Sequence, residues 1–366
     1  MRSVVTTKRN GIGVIGCGKI SDIYLKNLTG ARSVEVLGVT DMVAERAEEK
    51  AAAYGVPALS LDALLESEDI GYVVNLTVPA AHVEVSEAAL NHGKHVYSEK
   101  PFSLGKDEGT RLWDLARGKG LRACSAPDTV LGGGIQTARK LIDDGWIGEP
   151  VAGTAFMMGH GPENWHPNPH FFYQPGAGPL FDMGPYYLTT LVHLLGPVAD
   201  VAAMTRASFA ERVIRNPSRN GERIPVNTPT HVAGTLAFEA GPLVTMVQSF
   251  DVWSSTLPRI EIYGSEGSMV VPDPNTFGGA IMVRHHDASE WQSMAPLFRP
   301  VENSRGIGVL DLVEAVEAGR TPRCDGSIGL HIVEVMEAML QSGDTGRRIT
   351  IETRPERPEP MPLSLR

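Results

Sequence analysis

A chain of 366 residues with 42% hydrophobic content and a formal net charge of −10 is long enough for two packed domains and apolar enough to fill their cores. Its acidic balance, without any run of lysine and arginine, argues against nucleic acid or an anionic membrane surface as partner and for a small molecule. No stretch approaches the ~20 apolar residues that a membrane span requires.

The chain opens with Arg2, Lys8 and Arg9 ahead of an apolar run, in imitation of a secretory leader. Lys19 and Asp22 cut that run short and no small-residue cleavage site follows, so the expectation is a cytoplasmic protein whose residues 1–9 are poorly ordered. Residues 10–41 organise what comes after. An apolar run meets Gly16-Cys17-Gly18, a periodic segment opens at Lys19 and Ile20, and a second apolar run ends on Asp41. This is the layout of a dinucleotide-binding βαβ unit. Gly16 permits the tight turn, Gly18 lets the backbone approach a pyrophosphate, and Ser21 in place of a third glycine is still small enough for helix-on-strand packing. The pyrophosphate would lie over the first N–H groups of the helix near Lys19 and Ile20, where unpaired donors and the helix dipole favour an anion. With 39 glycines, a bare G-x-G occurs roughly four times by chance. The weight therefore rests on Asp41, placed where a carboxylate can accept both ribose hydroxyls and so select NAD over NADP.

Residues 43–54 read as a helix closed by Gly55 and Pro57, residues 57–60 as a short strand, and 61–66 as a brief helix. Residues 72–77 form a continuous apolar strand of the kind buried in a parallel sheet. Thr77 ends it, and Pro79 and His82 follow at the expected nicotinamide border. Helix 80–92, strand 95–99, helix 106–119 and strand 121–125 complete an alternation that implies right-handed crossovers and a doubly wound parallel sheet, with ligand at the carboxyl ends of its strands. Cys17, Cys124 and Cys324 are odd in number and far apart, which suits small buried hydrophobes in a reducing compartment better than a disulfide framework. The character changes near residue 127. A helix at 134–144 precedes longer strands at 151–158, 198–208, 231–238, 243–250, 259–263 and 268–271, joined by hairpin-like turns. Helices at 305–318 and 327–341 and an extended tail from Arg354 finish the chain. The fold class is thus α/β: an N-terminal Rossmann domain over residues 10–127, then an α+β domain over 128–345 with a large, mostly antiparallel sheet.

Two constellations carry chemistry. Glu99-Lys100-Pro101 ends a sheet strand, and proline forces Lys100 into extended or turn backbone that aims its side chain away from the strand. A lysine there can hold a substrate hydroxyl and the alkoxide that develops as hydride leaves; the plain alternative is a solvated strand-end lysine. Farther on, a glycine-rich loop over 176–178 empties into a helix with Asp182 near its start and Tyr186 one turn later on the same face. Taken alone, Asp182 reads as an N-cap rather than a site residue.

Taken together, Gly16-x-Gly18, Asp41, Glu99-Lys100-Pro101 and Asp182-x-Gly184-x-Tyr186 resemble the glucose-fructose oxidoreductase and inositol dehydrogenase family, Gfo/Idh/MocA, over residues 10–345. The resemblance implies an NAD(P)-dependent oxidoreductase acting on sugars, cyclitols or related polyols, with Lys100 and Asp182 in its active site, and assembly as a homodimer or homotetramer. Tyr186 stands where many members carry histidine. A tyrosine pKa near ~10 suits a base poorly unless a cation such as Lys100 lowers it. Of the candidates Lys100, Asp182 and Tyr186, this reading makes Tyr186 the general base, tuned by Lys100, with Asp182 orienting hydroxyls and the lysine; the alternative is that Tyr186 only packs and Tyr187 or His193 takes the proton. His160, Trp165, His166 and His170 lie in a Gly/Pro/Asn-rich loop that suggests a substrate lip, with Trp165 stacking on a sugar face beside His166. The prolines deny these histidines regular spacing and no cysteine or carboxylate completes a ligand set, so no metal is expected. The rival functions are a redox-neutral glycosidase or lyase that uses NAD transiently, and a non-catalytic NAD-sensing protein.

Overall fold

The computed structural model describes residues 10–363; residues 1–9, expected to be poorly ordered, lie outside the described residues. The first elements are β1 (Asn10–Ile15), α1 (Ser21–Thr29), β2 (Val34–Thr40), α2 (Ala44–Tyr54), α3 (Leu61–Glu66), β3 (Ile70–Asn75), α4 (His82–Asn91), β4 (His95–Ser98), α5 (Lys106–Gly118) and β5 (Ala123–Ser125). They are followed by α6 (Gly133–Asp143), β6 (Pro150–Met158), α7 (Gly178–Leu195), β7 (Val198–Arg206), β8 (Glu211–Val213), β9 (Arg223–Pro225), β10 (His231–Phe238) and β11 (Leu243–Ser249). The last are β12 (Ile260–Gly264), β13 (Gly267–Val271), β14 (Ile281–His285), β15 (Gln292–Met294), α8 (Ile307–Ala318), α9 (Gly326–Thr345) and β16 (Ile349–Thr350).

The chain divides into two compact units. The described part of the first runs to Ser103, resumes over Asp107–Asp128 and returns for Asn303–Gly329. It holds a five-stranded sheet in the order β2-β1-β3-β4-β5, parallel throughout. Ile12, Val14, Val39, Val73, Val74 and Tyr97 are all wholly buried, because such a sheet is covered on both faces and its strands have no solvent side. The late return is built in by Asp128, whose Oδ2 accepts from Gly306 N at 2.8 Å and Gly308 N at 3.0 Å at the start of α8. Residues 303–329, expected with the second domain, therefore pack in the first: the sequence pattern announces a helix there but not the cap that fixes its place.

The second unit carries a nine-stranded sheet in the order β15-β14-β13-β12-β6-β11-β10-β7-β16. Every neighbouring pair is antiparallel except β6 with β11, which run parallel with Met158 opposite Ser249. These two strands thus end side by side, and the loops leaving them start from one edge of the sheet. Helix α7 lies against the middle strands. Pro179 sits in its first turn, where a missing N–H costs nothing, and it is buried on nearly every side, as an apolar-all-round helix must be. Gly196 at φ 88 ends it with its N–H on Val192 O. Inside the helix, Pro185 has no N–H to offer the carbonyl of Phe181.

Some expectations change. Residues 57–60 make one bridge, Ala58 with Val39, rather than a strand. Strands β8, β9, β14, β15 and β16 were not foreseen; each is five residues or shorter and carries too little alternation to be read. Asp182 is the fifth residue of α7, not its N-cap, because the helix already begins at Gly178.

Candidate functional site

In the first unit the expected cofactor residues stand just past the strand ends of its parallel sheet. Gly16 follows β1 at φ 102, a conformation that L side chains avoid, and a Cβ there would lie 2.6 Å from the Leu76 carbonyl carbon. At Gly18, by contrast, a Cβ would meet nothing within 4 Å, so the space above the loop is open for a ligand to press against bare backbone. Ser21 is fully buried and donates through Oγ to Gly18 O at 2.6 Å; it fills the close-packed place of the third glycine. Lys19 and Ile20 lead directly into α1. Asp41 follows β2 with its side chain 8% exposed. Its Oδ2 accepts from Cys17 N at 2.8 Å and its Oδ1 from Val43 N at 2.9 Å. The carboxylate thereby ties the glycine loop to its own strand, and each oxygen keeps a further acceptor position for ribose hydroxyls. Arg46 is 60% exposed and brings Nη1 within 4.0 Å of Oδ1. Burial first, then the neighbouring Asp41, push the Cys17 thiol up to about 11, so it stays protonated and unreactive.

Glu99 follows β4, with Oε1 accepting from Tyr24 Oη at 2.7 Å and Oε2 from Lys100 N at 3.0 Å. The glutamate fixes the turn in which Lys100 sits. Thr77 follows β3, held through N and Oγ1 by Asn75 Oδ1 at 3.2 and 2.7 Å, and Pro79 beyond it is exposed. His82 departs from expectation. It is 1% exposed, with Nδ1 2.8 Å from Pro101 O and Nε2 3.0 Å from Thr77 O. Burial lowers its pKa, and a neutral ring can donate to only one of the two carbonyls. It pins the β3 loop to the turn after Lys100 instead of lining a cofactor surface.

In the second unit Asp182 is half-buried and Tyr186 is 8% exposed, one turn apart on α7 with Pro185 between them. Tyr187 is fully buried and donates to Phe156 O at 3.3 Å, while Arg259 Nη1 donates to its hydroxyl at 3.4 Å. Burial outweighs Arg259 and pushes Tyr187 up to about 12, which removes it as a proton acceptor near neutrality. His193 is 1% exposed at the far end of α7, where its carbonyl accepts from Arg139 and Arg357 at 2.7 and 3.0 Å. The first turn of α7 lies at the edge where β6 and β11 end: a Cβ on Gly178 would be 2.8 Å from Pro229 O, and Phe250 N donates to Thr230 O at 2.8 Å.

The expected lip, residues 159–177, leaves that same edge in two short 3-10 turns, Pro162–Asn164 and Pro169–Tyr173. Trp165 is 67% exposed, and His166 touches it edge-on at 5.4 Å. Beneath them is a buried cluster that sequence reasoning missed. Arg212 on β8 is 4% exposed; it donates through Nε to Glu163 Oε1 at 2.9 Å and through Nη1 to Asp251 Oδ1 at 2.7 Å. Its Nη2 reaches the carbonyls of His160 and Phe250 at 2.8 and 3.0 Å. Tyr173 donates its hydroxyl to the other oxygen of Glu163, and burial plus that carboxylate hold the phenol far above its ordinary pKa. One guanidinium thus gathers the lip, the β8–β9 ribbon and the end of β11.

These features define an α/β protein in which a dinucleotide-binding Rossmann unit is joined to an open-sheet unit. Residues 10–126 match the family model described as oxidoreductase family, NAD-binding Rossmann fold, and residues 135–270 match the GFO/IDH/MocA C-terminal domain. The chain belongs to the GFO/IDH/MocA family of oxidoreductases. It is 31% identical over 328 residues to dTDP-3,4-didehydro-2,6-dideoxy-alpha-D-glucose 3-reductase of Streptomyces antibioticus, across 84% of this chain and 95% of that one. It is 23% identical over 355 residues to 1,5-anhydro-D-fructose reductase of Ensifer adhaerens, across 94% and 99% of the two chains. Of two uncharacterized oxidoreductases from Schizosaccharomyces pombe, 29% and 34% identical, the matched part spans only 48% and 38%. Among solved structures, levoglucosan dehydrogenase in complex with NADH and levoglucosan gives a TM-score of 0.80 at 18% identity, covering 94% of this chain and 99% of that one, a likeness of fold.

Proposed function

We propose that the protein is an NAD-dependent dehydrogenase that oxidises a secondary hydroxyl of a sugar, glycoside or cyclitol to a ketone, or runs the reverse reduction. The observation that carries this reading is the placement of Gly16, Gly18, Asp41, Glu99 and Lys100 along the carboxyl edge of one parallel sheet. Relatives named for reductions of sugar derivatives support the substrate class. Bound NAD supplies the hydride acceptor. Lys100 donates to the substrate hydroxyl and stabilises the alkoxide, Tyr186 takes the hydroxyl proton, and Asp182 orients neighbouring hydroxyls. As the carbinol C–H bond breaks, the hydride leaves with both electrons and the carbon becomes a ketone. Trp165 and His166 receive the sugar face. Asp41 favours NAD over NADP by accepting ribose hydroxyls and repelling a 2′-phosphate. A homodimer or homotetramer is supported by Val151, Met204 and Leu243, which are 53%, 81% and 53% exposed on strands of the large sheet. The buried free cysteines suit a cytoplasmic location.

The test is NADH appearance across sugars, glycosides and inositols, with Lys100→Met as control. A substrate that produces stoichiometric NADH, with kcat lost by orders of magnitude in Lys100→Met at retained NAD affinity, supports the reading. Product without net NADH points instead to a redox-neutral glycosidase or lyase, and no turnover on any substrate leaves an NAD-sensing protein.

A further inference from the structure

A second ring platform lies at the same sheet edge as the lip. Trp253, four residues past β11, is 65% exposed. His160, two residues past β6, stacks on it with ring centroids 3.2 Å apart and planes 12° from parallel. Arg215 lies over the same indole at 5.3 Å. This stack is built into the fold. Val252 N donates to Gly159 O at 3.1 Å and Arg215 N to Glu163 O at 3.0 Å, while the carbonyl of His160 is held by the buried Arg212. Trp165 reaches the same framework through Phe172 and Phe250, with centroid separations of 6.5 and 6.4 Å. Two exposed indoles therefore rise from one rigid base. Among the described residues no carboxylate pairs with Arg215, which is exposed. A guanidinium lying over a ring keeps its in-plane N–H groups available for an anion. Arg212, which neighbours it, already has its carboxylates in Glu163 and Asp251.

We infer that Trp253, His160 and Arg215 form a second subsite, which binds the unreacting part of a two-unit substrate: a ring packed against the exposed side of the indole–imidazole stack, bearing an anionic group held by Arg215. This rests on the dehydrogenase reading above and narrows its substrate class to glycosides whose second unit carries a carboxylate or a phosphate. Four probes separate the parts: D-glucose, cellobiose, cellobiouronic acid as a carboxylate source, and UDP-glucose as a phosphate source. Each is titrated calorimetrically into the NAD-saturated protein and its Trp253→Ala and Arg215→Gln variants, with melting temperature and sedimentation recorded alongside. At least one anionic two-unit probe should bind about tenfold or more tightly than D-glucose. That ratio should fall to near one in Trp253→Ala and to the cellobiose ratio in Arg215→Gln, with all three proteins melting alike. The inference is overturned if both anionic probes bind no better than D-glucose, or if the ratio survives both substitutions. It is equally overturned if Trp253→Ala lowers the mass of the assembly at an unchanged ratio, since the stack is then a contact between copies. Because the readout is binding, absence of NADH in the substrate screen would defeat the dehydrogenase reading without deciding this one.

Discussion

Asp41 does two things at once, and its substitution should separate them. It binds the backbone of Cys17 and Val43 and it is the group proposed to select NAD. With Arg46 already 4.0 Å away, Asp41→Ser removes the anion that opposes a 2′-phosphate and leaves a cation beside the vacated place. The ratio of kcat/KM for NAD over NADP should drop by about tenfold or more; an unchanged ratio would move specificity elsewhere in the loop. Tyr186→Phe keeps the ring and removes one oxygen, so folding and NAD affinity should survive while kcat falls roughly 10² or more. Turnover within a few-fold of the parent, with the same pH profile, would end the assignment of Tyr186 as base. Such residues were legible because glycine loops, strand-end carboxylates and Glu-Lys-Pro are local patterns. His82 was misjudged because its two carbonyl partners, Thr77 and Pro101, become neighbours only when β3 and β4 pair. Trp253 and Arg215 were missed for the same reason: an aromatic in a Ser/Thr-rich loop carries no signal of what stacks on it.

At the level of elements, the long strands and helices were readable from apolar periodicity, whereas the β8–β9 ribbon was not. Three-residue strands have no period to detect, and the ribbon's importance lies in a single arginine. Arg212 is buried with Glu163 and Asp251, both also nearly inaccessible. Removing it strands two carboxylates in a dry environment, which typically costs about 3–5 kcal/mol. Arg212→Met should therefore lower the denaturant midpoint markedly and raise KM for the sugar more than it lowers kcat, because the lip loses its anchor while Asp182 and Tyr186 stay on α7. A variant of parental stability would mean the cluster is looser than its hydrogen bonds imply.

For the whole molecule, two buried carboxylates shape stability against pH with opposite signs. Burial would raise Glu334, but hydrogen bonds from Lys106, Thr353 and Glu352 N overcome it and hold the group at about 2. A depressed folded pKa gives stability that is present above the ordinary carboxylate range and lost as pH falls toward 2. Glu334→Gln should accordingly flatten the acid limb of an unfolding curve between roughly pH 2 and 5. Asp128 runs the other way. Burial raises it to about 6 against the N–H groups of Gly308 and Gly306, so its contribution is full below its unfolded value near 3.8 and declines as pH rises through 6. In Asp128→Asn the stability slope between roughly pH 4 and 7 should diminish; an unchanged slope would indicate that another group titrates there.

The same aspartate bears on the order in which the chain can acquire structure. The first unit receives residues 303–329 only after eight strands of the nine-stranded sheet, all but β16, have been made, and Asp128 waits for Gly306 and Gly308. On a ribosome, the nascent Rossmann segment must stay unfinished through some hundred and seventy intervening residues, with an unmatched buried acid and an uncovered apolar flank. The central pairing of the sheet adds delay, since Ala152 joins Leu243 about 90 residues later, and such distant closures are slow. Release of chains cut near residue 128 should yield aggregates rather than a soluble domain, whereas chains carried past residue 329 should become protease-resistant in one late step.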